Sequence, residues 1–106
     1  MAVFEIEELE FNEIMNQEFS KGQTVILKFG AELCDACHAL ESELEDLEEE
    51  NENVSVMIVD CNRCESLTEE YNVHVVPTMV IYKDRDTMIY RGEGVLLSQD
   101  IEEIIS

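Results

Sequence analysis

Two short apolar runs, TVILKF at 24–29 and NVSVMIVD at 53–60, flank a stretch whose apolar residues recur at helical spacing. Runs of this length with little polar alternation read as strands covered on both faces. Between them Cys37, Leu40, Leu44 and Leu47 fall on one face of a helix, while the acidic residues of 41–52 fall mostly elsewhere and read as a solvated face. Strands separated by a helix favour parallel pairing through a right-handed crossover, which puts the chain in the α/β class.

The rest of the chain extends this pattern. VFEIE near the start alternates as a strand does, and Phe11, Ile14, Met15 and Phe19 then share a helix face ahead of the SKGQ turn. A short helix with Cys64, Leu67 and Tyr71 on one side follows the second apolar run. TMVIYKDRDTMIYRGEG reads as two strands around a polar KDRD turn, an antiparallel hairpin, and Leu97, Ile101, Ile104 and Ile105 mark a final amphipathic helix. The expected order is β-α-β-α-β-α-β-β-α, with a mixed sheet. At 106 residues and 45% apolar content, one domain over 1–106 is expected.

Six basic against 26 acidic residues give a net charge of −20. Such a chain repels nucleic acid and anionic lipid, so neither is an expected partner, and a charged partner should be basic at its contact surface. No apolar run approaches the ~20 residues of a membrane span, and the first residues lack a basic start followed by an apolar stretch. The expectation is a soluble, cytoplasmic monomer.

All four cysteines lie in two C-x-x-C pairs, Cys34/Cys37 in CDAC and Cys61/Cys64 in CNRC. In a chain of this kind such pairs point to redox or metal chemistry before structural disulfides. Cys34 stands where the long helix starts, and unpaired amides and the helix dipole there favour a thiolate, the nucleophile of disulfide exchange. Cys37 lies nearly one turn on, within reach of a mixed disulfide formed at Cys34. Asp35 either disfavours that thiolate by its charge, an effect that a nearby Lys28 ammonium would oppose, or serves as a good first-turn residue. His38 follows Cys37 directly and reads as a partly exposed helical residue, and His74 as loop surface or packing.

The order of elements, with C-x-x-C at a strand-to-helix junction, resembles the thioredoxin family over essentially the whole chain. VILKFGAELCDAC is similar to that family's strand and active-site segment, YNVHVVPT to the stretch leading to its cis-proline, and Gly92 falls where the family has a glycine after the last strand. Three positions depart from it: Leu33 replaces the usual tryptophan, Asp35-Ala36 the usual Gly-Pro, and Lys28 the buried aspartate of the preceding strand.

The resemblance implies a three-layer sandwich, with a mixed sheet of about five strands and about four helices. It also implies a thiol–disulfide oxidoreductase that reduces protein disulfides with Cys34 as nucleophile and Cys37 as resolver. Val76 and Pro77 would face Cys34, the Val76 backbone pairing with an extended substrate. The implied electron donor is a flavoprotein of the thioredoxin-reductase kind, and no bound cofactor is expected. In the family the buried acid is thought to relay the proton of the second cysteine. Lys28 either takes that part as a neutral base or sends its amine to water or to a carboxylate. The resemblance also brings Cys61 and Cys64 to the same sheet edge as the first pair. They read as a second redox pair, as two members of a four-cysteine zinc or iron–sulfur site, or as a core thiol and a loop thiol. The metal or electron-carrier reading of all four is the alternative function.

Overall fold

The computed structural model describes residues 3–106. The elements are β1 (Val3–Glu5), α1 (Phe11–Ser20), β2 (Thr24–Gly30), α2 (Asp35–Glu50), β3 (Val54–Asp60), α3 (Glu65–Glu70), β4 (Thr78–Asp84), β5 (Thr87–Glu93) and α4 (Ser98–Ile105). This is the expected order, with one addition: a 3-10 turn at Glu8–Glu10 leads into α1. The strands form one sheet in the order β1-β3-β2-β4-β5. β1 and β2 both run parallel to β3, whereas β4 is antiparallel to β2 and to β5.

β2 is central because every side chain along it can be buried on one face or the other. Val25, Leu27 and Phe29 join the core beneath α1 and α3 with Phe11, Met57, Val59 and Leu67. Ile26 points to the opposite core with Leu40, Leu44 and Leu47 of α2 and Ile101 of α4. The period of two along the strand thus fills both outer interfaces of a three-layer sandwich. Lys28 shares the α2 face with Ile26, so a lysine stands at a core position.

Local chemistry sets the element ends. Gly22, at φ 81°, supplies the left-handed turn between α1 and β2. The Asn51 side-chain amide donates to the Leu47 carbonyl at 2.8 Å, closing α2 where Glu48, Glu49 and Glu50 oppose the helix dipole. The hairpin is tighter than KDRD suggests: Lys83 and Asp84 continue β4, leaving Arg85 and Asp86 as the loop. Gly92 lies within β5 and not after it, and a Cβ there would meet the Tyr90 side chain. Among the described residues no helix is long and apolar enough to cross a membrane.

Candidate active site

β2 ends at Gly30, and the chain crosses to Cys34, the N-cap residue of α2. The Cys34 sulphur accepts a hydrogen bond from the backbone N–H of Cys37 at 3.2 Å. One free amide of the first turn is thus spent on the sulphur, as the position of CDAC in the sequence leads one to expect. Cys34 and Cys37 are disulfide-bonded, with Cα atoms 5.2 Å apart. The two are unequal: Cys34 is partly exposed and Cys37 wholly buried. Leu33, at 100% exposure, stands beside Cys34, and Asp35 is exposed in the first turn.

The chain entering β4 reaches the same end of the sheet. Thr78 pairs in register with Phe29, so Pro77 joins the sheet at the end of β2 from which the Cys34 loop departs. The Val76–Pro77 peptide bond is cis. The Thr78 hydroxyl donates to the Val75 carbonyl at 2.6 Å and the Gly94 N–H to the Pro77 carbonyl at 2.9 Å. Val76 lies between these two anchored carbonyls. Val75 is about half exposed and Val76 partly so.

Lys28 is 2% exposed, and its ammonium donates to Oε2 of Glu41 at 2.7 Å. That contact is the pairing with a carboxylate that the second reading of Lys28 describes. Glu41 lies one turn beyond Cys37 on α2 and is a third exposed. Composition groups it with the solvated face, whereas its i, i+4 spacing from Cys37 places both on one side of the helix. Beside the end of β2 lies a cavity of about 320 Å³ lined by Lys28, Gly30, His38, Glu41, Asp60 and Arg63, among others. His38 is exposed, with Nε2 2.7 Å from the Glu32 carbonyl and Nδ1 3.8 Å from Glu41. His74 is exposed outside the cavity.

The second pair lies next to the first strand. The Cys61 N–H donates to the Gly30 carbonyl at 2.9 Å, and Cys61 is partly exposed. Cys64 is 1% exposed in the core under α3, with its sulphur 3.9 Å from the Ile6 carbonyl. Burial pushes the Cys64 thiol pKa up, and the negative charges of Glu8, Asp60 and Glu7 push it further. Both thiols are free. Among the described residues no group of three His, Cys, Asp or Glu side chains converges to hold a metal, so the four cysteines do not gather into the single site that the metal reading requires.

Residues 2–106 match the family model for thioredoxin. Thioredoxin Asp f 28 of Aspergillus fumigatus is 30% identical over 94 residues, covering 89% of this chain and 86% of that protein. Among solved structures, a chloroplastic thioredoxin z superposes with a TM-score of 0.86 at 30% identity, covering 99% of this chain and 92% of the other. The short form of thioredoxin f from spinach chloroplast does so with a TM-score of 0.82 at 26% identity, covering 97% and 90%. A C-x-x-C disulfide at a strand-to-helix junction, a cis-proline entering the neighbouring strand and these likenesses converge: the chain belongs to the thioredoxin family and is a thiol–disulfide oxidoreductase.

Proposed function

We propose that the protein works as a protein-disulfide reductase, with Cys34 as the attacking and Cys37 as the resolving cysteine. The observation that carries this reading is the asymmetry of the pair. An incoming disulfide reaches the partly exposed Cys34 sulphur, which the Cys37 amide stabilises as a thiolate, and does not reach the buried Cys37. Attack by the Cys34 thiolate forms a bond to one substrate sulphur and releases the other as a thiolate. Cys37, as thiolate, then attacks the Cys34 sulphur, forming the intramolecular disulfide and releasing the second substrate sulphur. Two electrons pass from the dithiol to the substrate.

The Val76 backbone, beside Pro77 at the sheet end from which the Cys34 loop departs, is the partner for an extended substrate segment, as in strand addition. Exposed Leu33 and Val75 offer that segment apolar contact. A flavoprotein of the thioredoxin-reductase type recharges the pair, in the cytoplasm, where such reductants maintain thiols. The test is reduction of insulin with a dithiol donor. Cys34→Ser should abolish it, and Cys37→Ser should accumulate a mixed disulfide trapped at Cys34. Full activity in Cys34→Ser rejects the reading.

A further inference from the structure

The side chain of Lys28 has the strongest claim to a function that the exchange steps leave unused. It is the one buried cation among the described residues. A Cβ built at Gly30 would stand 2.8 Å from Lys28 Nζ and 3.2 Å from Cys37 Sγ. The ammonium and the sulphur therefore approach the same point from two sides, and the missing side chain at Gly30 keeps that point open. Glu41 holds the far side of the ammonium at 2.7 Å and faces the cavity.

We propose that Lys28 is a positioning residue that stabilises the Cys37 thiolate during resolution of the mixed disulfide, acting through the gap left by Gly30. The inference rests on the resolving role of Cys37. The Cys37 thiol loses its proton to solvent, and the thiolate attacks the Cys34 sulphur. The Cys34–substrate bond breaks as the Cys34–Cys37 bond forms, and the electron pair leaves on the substrate sulphur, which takes up a proton from water. Lys28 remains an ammonium throughout. Its field favours the charged sulphur, both residues being buried. Glu41 opposes this by neutralising part of the same charge, so the two halves of the ion pair act on Cys37 with opposite sign.

Other charges round the cavity set the background: Glu5 from β1, Glu32 from the loop before α2, His38 from α2, Asp60 at the end of β3 and Arg63 beyond it. Carboxylates outnumber cations there, so removing the ammonium leaves Cys37 in a negative field. Asp35, in the first turn of α2, adds to that field.

The experiment follows the Cys37 ¹³Cβ shift against pH in the fully reduced protein, which reads this thiol separately from the other three. Lys28→Met should move the Cys37 titration to higher pH. The thiolate at neutral pH should fall about tenfold and mixed-disulfide release should slow to match, recovering in alkaline buffer. Gly30→Ala keeps every charge but pushes the amine and sulphur apart, and should shift the titration the same way by less. Glu41→Gln should move it to lower pH. An unmoved titration in Lys28→Met overturns the inference, as does a shift of the same sign in Lys28→Met and Glu41→Gln, which is what mere loss of the ion pair would give. Should Lys28→Met not fold, Gly30→Ala and Glu41→Gln still decide by the sign of their shifts. Failure of the resolving role is read separately, as the absence of a trapped mixed disulfide in Cys37→Ser.

Discussion

The backbone amide of Cys61 donates to the carbonyl of Gly30 at 2.9 Å, fastening the second cysteine pair to the strand end that presents the first. Proximity does not make the two pairs equivalent. Cys61 is partly exposed, whereas Cys64 is packed in the core with a thiol whose pKa is raised by burial and by Glu8, Asp60 and Glu7. With the protein reduced and folded, iodoacetamide should label Cys61 near neutral pH and leave Cys64 untouched until strongly alkaline pH. Site-resolved mass spectrometry checks this. Cys61→Ser should leave insulin reduction within about twofold of the parent, since surface changes of this kind perturb little. Equal labelling of both thiols would place Cys64 outside the core.

Glu18 links acidity to stability. Its carboxylate, nearly buried, accepts the Ser55 hydroxyl at 2.5 Å and the Lys21 ammonium at 2.8 Å. Burial pushes its pKa up, but the hydrogen bonds from Lys21 and Ser55 and the charge of Lys21 pull it down by more, to below the ordinary value of a glutamate. A carboxyl with a lower value folded than unfolded contributes fully above its unfolded value and loses that contribution as pH falls through its folded one. The gap in urea midpoint between parent and Glu18→Gln should therefore be widest at about pH 7 and close towards about pH 3. A gap independent of pH would contradict the assignment.

Leu44 is fully buried on the α2 face against β3 and β4. Leu44→Ala should cost about 2–5 kcal/mol in chemical denaturation, the range for deleting a leucine side chain from a packed core. Disulfide exchange per folded molecule should persist, because the cysteines are held by the first turn of the helix and not by this layer.

Asp35 is exposed in the first turn of α2, beside Cys34. Its charge favours the helix dipole and opposes a neighbouring thiolate. Asp35→Asn should cost about 0.3–1 kcal/mol of stability and speed alkylation of Cys34 at neutral pH. Slower alkylation would mean that the dipole effect, and not the local charge, governs the thiol.

Leu33 has no contact to lose, being fully exposed. Leu33→Ser should leave stability within about 0.5 kcal/mol. Partial burial of a leucine against a substrate is worth about 1 kcal/mol, so kcat/KM for a protein disulfide should fall about fivefold while that for a small aliphatic disulfide holds. An equal loss on both would point to altered chemistry at Cys34 and not to docking.

The fold was legible in the sequence because its signals are local. β2 and β3 announce themselves as apolar runs, α2 and α4 by helical spacing, and the hairpin by its polar turn, each within one short window of sequence. The place of Cys34 and Cys37 was legible for the same reason, since a C-x-x-C at a strand-to-helix junction is a local feature. The acidic residues were not. Glu8 accepts the Leu67 N–H at the start of α3 and Glu43 the Ser98 N–H at the start of α4, yet in sequence they are indistinguishable from solvated carboxylates.

The relation between Lys28, Gly30, Cys37 and Glu41 is of the second kind. Strand alternation points Lys28 towards one face of the sheet, and helix spacing groups Cys37 with Glu41. Neither periodicity says that the two faces meet, nor that the absent side chain of Gly30 is where they do. Packing of α2 across β2 brings an ammonium and a sulphur to either side of the Gly30 gap, because only in the folded chain do side chains of a strand and a helix share one space.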